Sequence, residues 1–349
     1  MKTNVFAKRI LLILLTFAFF VACSSDEAPD VPPVTEDPDP NEDPNGDPPR
    51  TPRDPELEVE FGEDVVIVFT PVDEASERLG TSDSYTKELS KFDLISRTKD
   101  KSSDQEEDYL EFASQQAQVW TEQEREVLTG KILSVKNKMD NLGLKLEFPN
   151  EILLVKSTMA EEGGAVSYTR ENYIVVRGDV SEDFLAHELF HILTRYKPER
   201  RKDLYETINF YETNRIHYPE AIRDYVITNP DAPFLEHTIT LKIENEDEEV
   251  VFILISEEDW DGGSFFTYMK QRLMYIDGGQ GEKAAKLIDD YPVLKNFAAA
   301  PDLKQKIGTN TDYTLHPEEI LAEHFVMLVM GKEVPEPSYL DAMKEVLSR

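Results

Sequence analysis

Five residues, His187-Glu188-Leu189-Phe190-His191, lie within the stretch SEDFLAHELFHILTR, and no other feature limits the possible fold as tightly. Phe184, Leu185, Leu189, Phe190, Ile192 and Leu193 surround the histidines at helical spacing, and Ser181 is placed to cap the helix start. Residues at i and i+4 share one helical face, so both imidazoles can approach a single zinc ion. Glu188 points about 100° further round, where its carboxylate reaches a water instead of the metal. A solvated face carrying these residues by chance fits poorly with so apolar a surround, because buried ionisable groups need partners.

A catalytic zinc takes a third protein ligand and keeps one position open. Continuing the motif with a glycine and a third histidine is excluded, since those positions hold Thr194 and Lys197. The candidate is a later helix, HPEEILAEHFVMLVMG at 316–331, with Pro317 suited to its first turn and Gly331 to its end. Glu319 and Glu323 share a face there. A metal beside the first and an imidazole N–H beside the second would favour both charges. This assigns Glu319 as ligand and Glu323 as the residue orienting a histidine, with Glu318 the runner-up ligand.

HELFH followed by this E-x-x-x-E helix resembles the gluzincins, zinc metallopeptidases in which a glutamate on a later helix completes the site. Glu319-Ile320-Leu321-Ala322-Glu323-His324-Phe325 is similar to the third-ligand helix of the anthrax lethal factor type. HELFHILTR, ITNPDAP and HPEEILAEHF together resemble a group of bacterial zincin-like proteins. The resemblance implies an α+β zincin-like domain and an endopeptidase that uses a metal-activated water, with Glu188 as base. It also implies a role for Tyr313, six residues before Glu319, in stabilising the transition state. Zincins pair an extended substrate with the strand preceding the motif helix, near residues 163–168, where Gly163-Gly164 would allow close approach or form a plain turn.

The N-terminus reads as an export signal: Lys2, Lys8 and Arg9 precede an apolar run over residues 10–21. Phe20-Val21-Ala22-Cys23 resembles a bacterial lipobox, which makes Cys23, the only cysteine, a lipidation site and residues 1–22 the signal peptide. Ser24-Ser25-Asp26-Glu27 is similar to the export signals of surface lipoproteins, which implies the outer membrane. Residues 23–56, rich in Pro and Asp, read as an extended tether leading to a zincin-like domain over 57–349. A formal charge of -33 disfavours nucleic acid and anionic lipid as partners, leaving a peptide or protein substrate and the lipid anchor.

In the folded part, residues 57–70 suggest a strand or hairpin and residues 98–108 a loop. Thr121 with Glu124 forms a capping box for a helix ending at Gly143. Runs at 144–148, 152–157, 165–169 and 173–176 read as short strands. A C-terminal half that is otherwise helical carries an inserted subdomain over 200–310 with a hairpin turning at 244–247. His217, His237, His316 and His324 have no ligand spacing and read as structural or exposed, and the acidic run 257–261 as a solvated loop. Two other functions compete: a catalytically silent zinc-binding lipoprotein serving as an adhesion module, and a glycan-capture protein. The second needs an aromatic platform, and Trp120 and Trp260 are not clustered in sequence.

Overall fold

The computed structural model describes residues 52–279 and 281–349, so Cys23, the signal and most of the tether lie outside the described residues. Folded structure begins earlier than Leu57. Arg53 is buried between Glu74 and Glu151, and Asp54 caps the first turn.

The architecture is mixed α+β. The first half runs β1 (Glu58–Glu60), β2 (Val66–Phe69), α1 (Val72–Leu79), α2 (Lys91–Thr98), α3 (Glu106–Ser114), α4 (Glu122–Leu142), β3 (Glu151–Lys156), β4 (Ser167–Arg170), β5 (Tyr173–Val176) and α5 (Glu182–Tyr196). The second half runs α6 (Pro198–Glu206), β6 (Tyr211–Ile216), α7 (Glu220–Arg223), β7 (Leu235–Ile243), β8 (Glu246–Ile255), β9 (Lys270–Asp277) and four two-residue strands, β10 (Ala284–Ala285), β11 (Leu287–Ile288), β12 (Tyr291–Pro292) and β13 (Leu294–Lys295). Three helices close it: α8 (Leu303–Ile307), α9 (Pro317–Met330) and α10 (Pro337–Leu347).

The first sheet has the order β1-β2-β3-β5-β4, with β2, β3 and β5 parallel and β1 and β4 antiparallel on its two edges. Its central strands are buried on both faces, as parallel strands covered by helices must be. Alternation divides them: Ile67, Phe69, Ile152, Leu154, Ile174 and Val176 face the core shared with α4, α5 and α9, while Val66, Val68, Leu153, Val155, Tyr173 and Val175 face α1 and α3. The Thr121–Glu124 capping box and the left-handed Gly143 bound α4 as read from sequence.

Three expectations need correction. Residues 144–148 alternate in burial, but no strand pairs with them, so they remain an extended coil packed on the core. The presumed loop at 98–108 is shorter, because α3 begins at Glu106. The C-terminal half is not mainly helical. Its hairpin, turning through Glu244 and Asn245 with positive φ, belongs to a six-stranded antiparallel sheet ordered β10-β9-β8-β7-β6, with β13 also paired to β9. One face of that sheet, through Ile239, Leu241, Val250, Phe252 and Leu273, joins the core of α5 and α9. Residues 200–310 are therefore continuous with the rest, and all described residues belong to one unit.

Candidate metal centre

Helix α5 starts where Ser181 Oγ accepts the Phe184 N–H, and α9 starts where His316 Nδ1 accepts the Glu318 N–H. The two helices pack together through Phe190 and Phe325, whose ring centroids are 5.4 Å apart, and this sets the histidines of one against the glutamates of the other.

His187 Nδ1 lies 3.2 Å from Glu323 Oε1, and its Nε2 lies 3.1 Å from Glu319 Oε2. His191 Nδ1 lies 3.1 Å from Glu318 Oε1, and its Nε2 lies 3.9 Å from the same Glu319 oxygen. Each Nδ1 thus has a carboxylate to accept its N–H, and both Nε2 atoms converge on Glu319 Oε2, where each would present a lone pair to a bound metal. Asn229 Nδ2 donates to Glu319 Oε1 at 2.7 Å, holding that oxygen and aiming the other at the histidines.

The donors fit a metal ion. His187, His191 and Glu319 present ligand atoms within 4.8 Å of one another, and His191 Nε2 is buried without a hydrogen-bond partner. Among the described residues one other set meets the same condition, Glu188, His191 and Asp231, which shares His191 and is all-oxygen otherwise. Two imidazoles and one carboxylate match the preference of zinc better.

Glu188 is buried, its Oε1 accepts from Ser167 Oγ at 2.7 Å, and its Oε2 has no partner. Burial pushes this carboxyl up to about 7, and the Asp231 charge adds to the rise while His187 and His191 oppose it. Glu319 goes the other way. Burial would raise it, but the hydrogen bond from His187 and the charges of both histidines lower it to about 2. Tyr313 stands 45% exposed at the cleft mouth with its ring centroid 6.3 Å from His187, and the Glu319 charge, then burial, raises its phenol well above the ordinary value. Its hydroxyl therefore stays protonated and able to donate.

No protein-family model, curated protein or solved structure matches the chain.

The remaining site expectations fare unevenly. Gly163 and Gly164 form a turn: their N–H groups bond to Ala160 and Met159, Gly163 has φ +62°, and a Cβ there would meet the Phe265 ring at 2.6 Å. The close approach Gly163 permits is to Phe265, and the strand that borders the cleft begins after the two glycines at Ser167. Glu318, the runner-up ligand, bonds the far nitrogen of His191 and is itself held by Thr194 and by Tyr205 Oη at 2.6 Å. His316 caps α9, His237 lies against Tyr205, His324 is buried and His217 is exposed. Trp120 is core, its Nε1 bonded to Leu154 O, so it forms no platform with Trp260.

Sequence reasoning missed Asn229 and Asp231, although ITNPDAP had been noted as a unit. A loop residue some 90 positions from its partner has no periodicity to reveal it.

Because Glu318 orients His191 from the side away from the point where His187, His191 and Glu319 converge, a metal held there is expected to bind about 10-fold to 100-fold more weakly in Glu318→Ala, with the stoichiometry still one under saturation. Competition with a chromogenic chelator measures this. Complete loss of binding would make Glu318 a ligand.

Proposed function

We propose that the chain is a zinc-dependent peptidase of zincin-like fold, related to the gluzincins, that hydrolyses peptide bonds in extended polypeptide. The observation that carries this reading is the convergence of His187 Nε2, His191 Nε2 and Glu319 Oε2 beside the buried, unpartnered Glu188 Oε2. A purely structural zinc site has four protein ligands and no use for such a carboxylate.

His187, His191 and Glu319 hold the ion, with Glu323 and Glu318 fixing the two imidazoles. When bound, zinc supplies Lewis acidity, acidifying water and polarising the scissile carbonyl. Glu188 takes the proton of the attacking water and passes it to the departing amine, a task suited to a buried carboxylate with one unpartnered oxygen. Tyr313 Oη donates to the developing oxyanion. The substrate lies in a cleft of about 500 Å³, between the edge of β4 and a wall that includes Ile227, Leu254, Phe265, Phe266 and Leu315. The same proposal places the protein at the cell envelope, lipid-anchored through Cys23 in the outer membrane.

Incubation with a diverse peptide library tests the reading. Cleavage is expected to vanish on chelation and to return on addition of zinc. A library left intact by the zinc-loaded protein would replace the peptidase by a silent metal-binding module.

A further inference from the structure

How far an extended chain can lie along β4 depends on which of its backbone groups are free. Strand β4 is the outer strand of the first sheet and pairs antiparallel with β5, so alternate residues turn their N–H and C=O inward and outward. Thr169 N–H bonds to Asp231 Oδ1 at 2.7 Å, which makes Thr169 an outward residue and Ser167, two positions earlier, another. Ser167 lines the cleft and touches Glu188. Asp231 Oδ1 takes the Thr169 hydroxyl as well, also at 2.7 Å. One peptide unit can therefore pair at Ser167, and the next place along the edge is already filled. The cleft is closed one residue from the catalytic groups.

The closed end is acidic. Asp231 places a carboxylate oxygen within 4.8 Å of ligand atoms of Glu188 and His191, and Glu319 lies just beyond. With the zinc charge offset by its ligands, Asp231 is the carboxylate left to meet an arriving terminus: it opposes a carboxylate and accepts from an ammonium. The cations nearby are engaged elsewhere: Arg195 is committed to the Glu171 carbonyl, the Thr169 hydroxyl and the Asp231 carbonyl and lines the small cavity behind the strand, and Arg97, which does line the cleft, is buried against Asp93 and Glu162. A chain paired antiparallel to β4 brings its amino terminus to Asp231 and a parallel one its carboxyl terminus, so the Asp231 charge selects the antiparallel direction. Past Ser167 in the other direction the cleft is open and apolar, with Val166, Phe184 and Phe266 all well exposed.

We infer that the site removes single residues from free amino termini, with Asp231 receiving the α-ammonium of the first residue, in place of the internal cleavage the motif alone suggests. This rests on the peptidase reading above. The C–N bond between the first and second residues breaks; water supplies the hydroxyl of the released carboxyl group and the proton of the new amine.

The test uses the zinc-loaded chain and one heptapeptide in three forms: free, N-acetylated and C-terminally amidated. Mass spectrometry of the products is expected to show loss of the first residue from the free and amidated forms. Acetylation should lower kcat/KM by roughly 10-fold to 100-fold, the worth of a hydrogen bond to a charged group. Asp231→Asn keeps the acceptor for Thr169 and removes the charge, so it should abolish the difference between free and acetylated peptide; a merely structural role would slow both and keep their ratio. Phenylalaninamide should also bind more tightly than N-acetylphenylalaninamide in calorimetry. Internal cleavage of the acetylated peptide at the rate of the free one, or no difference in binding, overturns the inference and leaves the peptidase standing. No cleavage of any form overturns both.

Discussion

On the proposed reading, Glu188→Gln is expected to lower kcat by about 10²-fold to 10⁴-fold and to leave the zinc content at its wild-type value. Glutamine is nearly isosteric with glutamate, and its carbonyl oxygen can still accept from Ser167 Oγ, as Glu188 Oε1 does at 2.7 Å. What it cannot do is accept a proton at the second position, where Glu188 Oε2 is buried and unpartnered. Losing the base while keeping all three ligands separates catalysis from metal binding. Measuring turnover and zinc on the same preparations checks this, and equal turnover by the two proteins would remove Glu188 from the chemistry.

Arg97→Met is expected to cost about 3–5 kcal/mol of folding free energy, because it leaves two buried carboxylates without the cation they share. The guanidinium is 1% exposed; Nε lies 3.0 Å from both Glu162 Oε2 and Tyr85 Oη, Nη2 donates to Thr228 O at 2.8 Å, and Nη1 pairs with Asp93. Removing it leaves Asp93 and Glu162 without their counter-ion in a site both share with almost no solvent. The same bonds join α2, the turn before β4, and residues 227–231, which carry Asn229 and Asp231 to the metal centre. The stability loss should therefore come with weaker metal binding. Urea denaturation of the metal-free proteins measures the first effect, and adding Asp93→Asn to Arg97→Met should recover part of it. A loss below about 1 kcal/mol would mean that water reaches and satisfies these carboxylates.

The two helices of the site were legible because each carries its own local signals. Ser181 and the apolar surround mark α5, Pro317 and Gly331 bound α9, and the spacing of Glu319 and Glu323 speaks only of one helix face. Where Glu318 points was not legible in that way. It is one residue from Glu319, yet α9 lies so that successive residues meet successive turns of α5, His191 and His187. That relation is a property of packing between helices. Asn229 and Asp231 were hidden for a similar reason, since Glu319 and Thr169 are 90 and 62 positions away and loops have no period; Arg97 shares α2 with Asp93, but its bonds to Glu162 and Thr228 span 65 and 131 positions. The second sheet was half seen. The β7–β8 hairpin is a local event with a two-residue turn, whereas β6, β9 and β13 join it through pairings that no short window contains. Residues 144–148 erred in the opposite sense, their alternation reflecting burial on one side without a neighbouring strand.

The central claim is that His187, His191 and Glu319 together hold one zinc ion, and elemental analysis of the purified chain after zinc dialysis tests it most directly. The account predicts one zinc per chain in the wild type and in Glu188→Gln, and loss of that zinc in Glu319→Ala. A wild-type chain that stays metal-free after dialysis, or a Glu319→Ala chain that keeps a full equivalent, would contradict it.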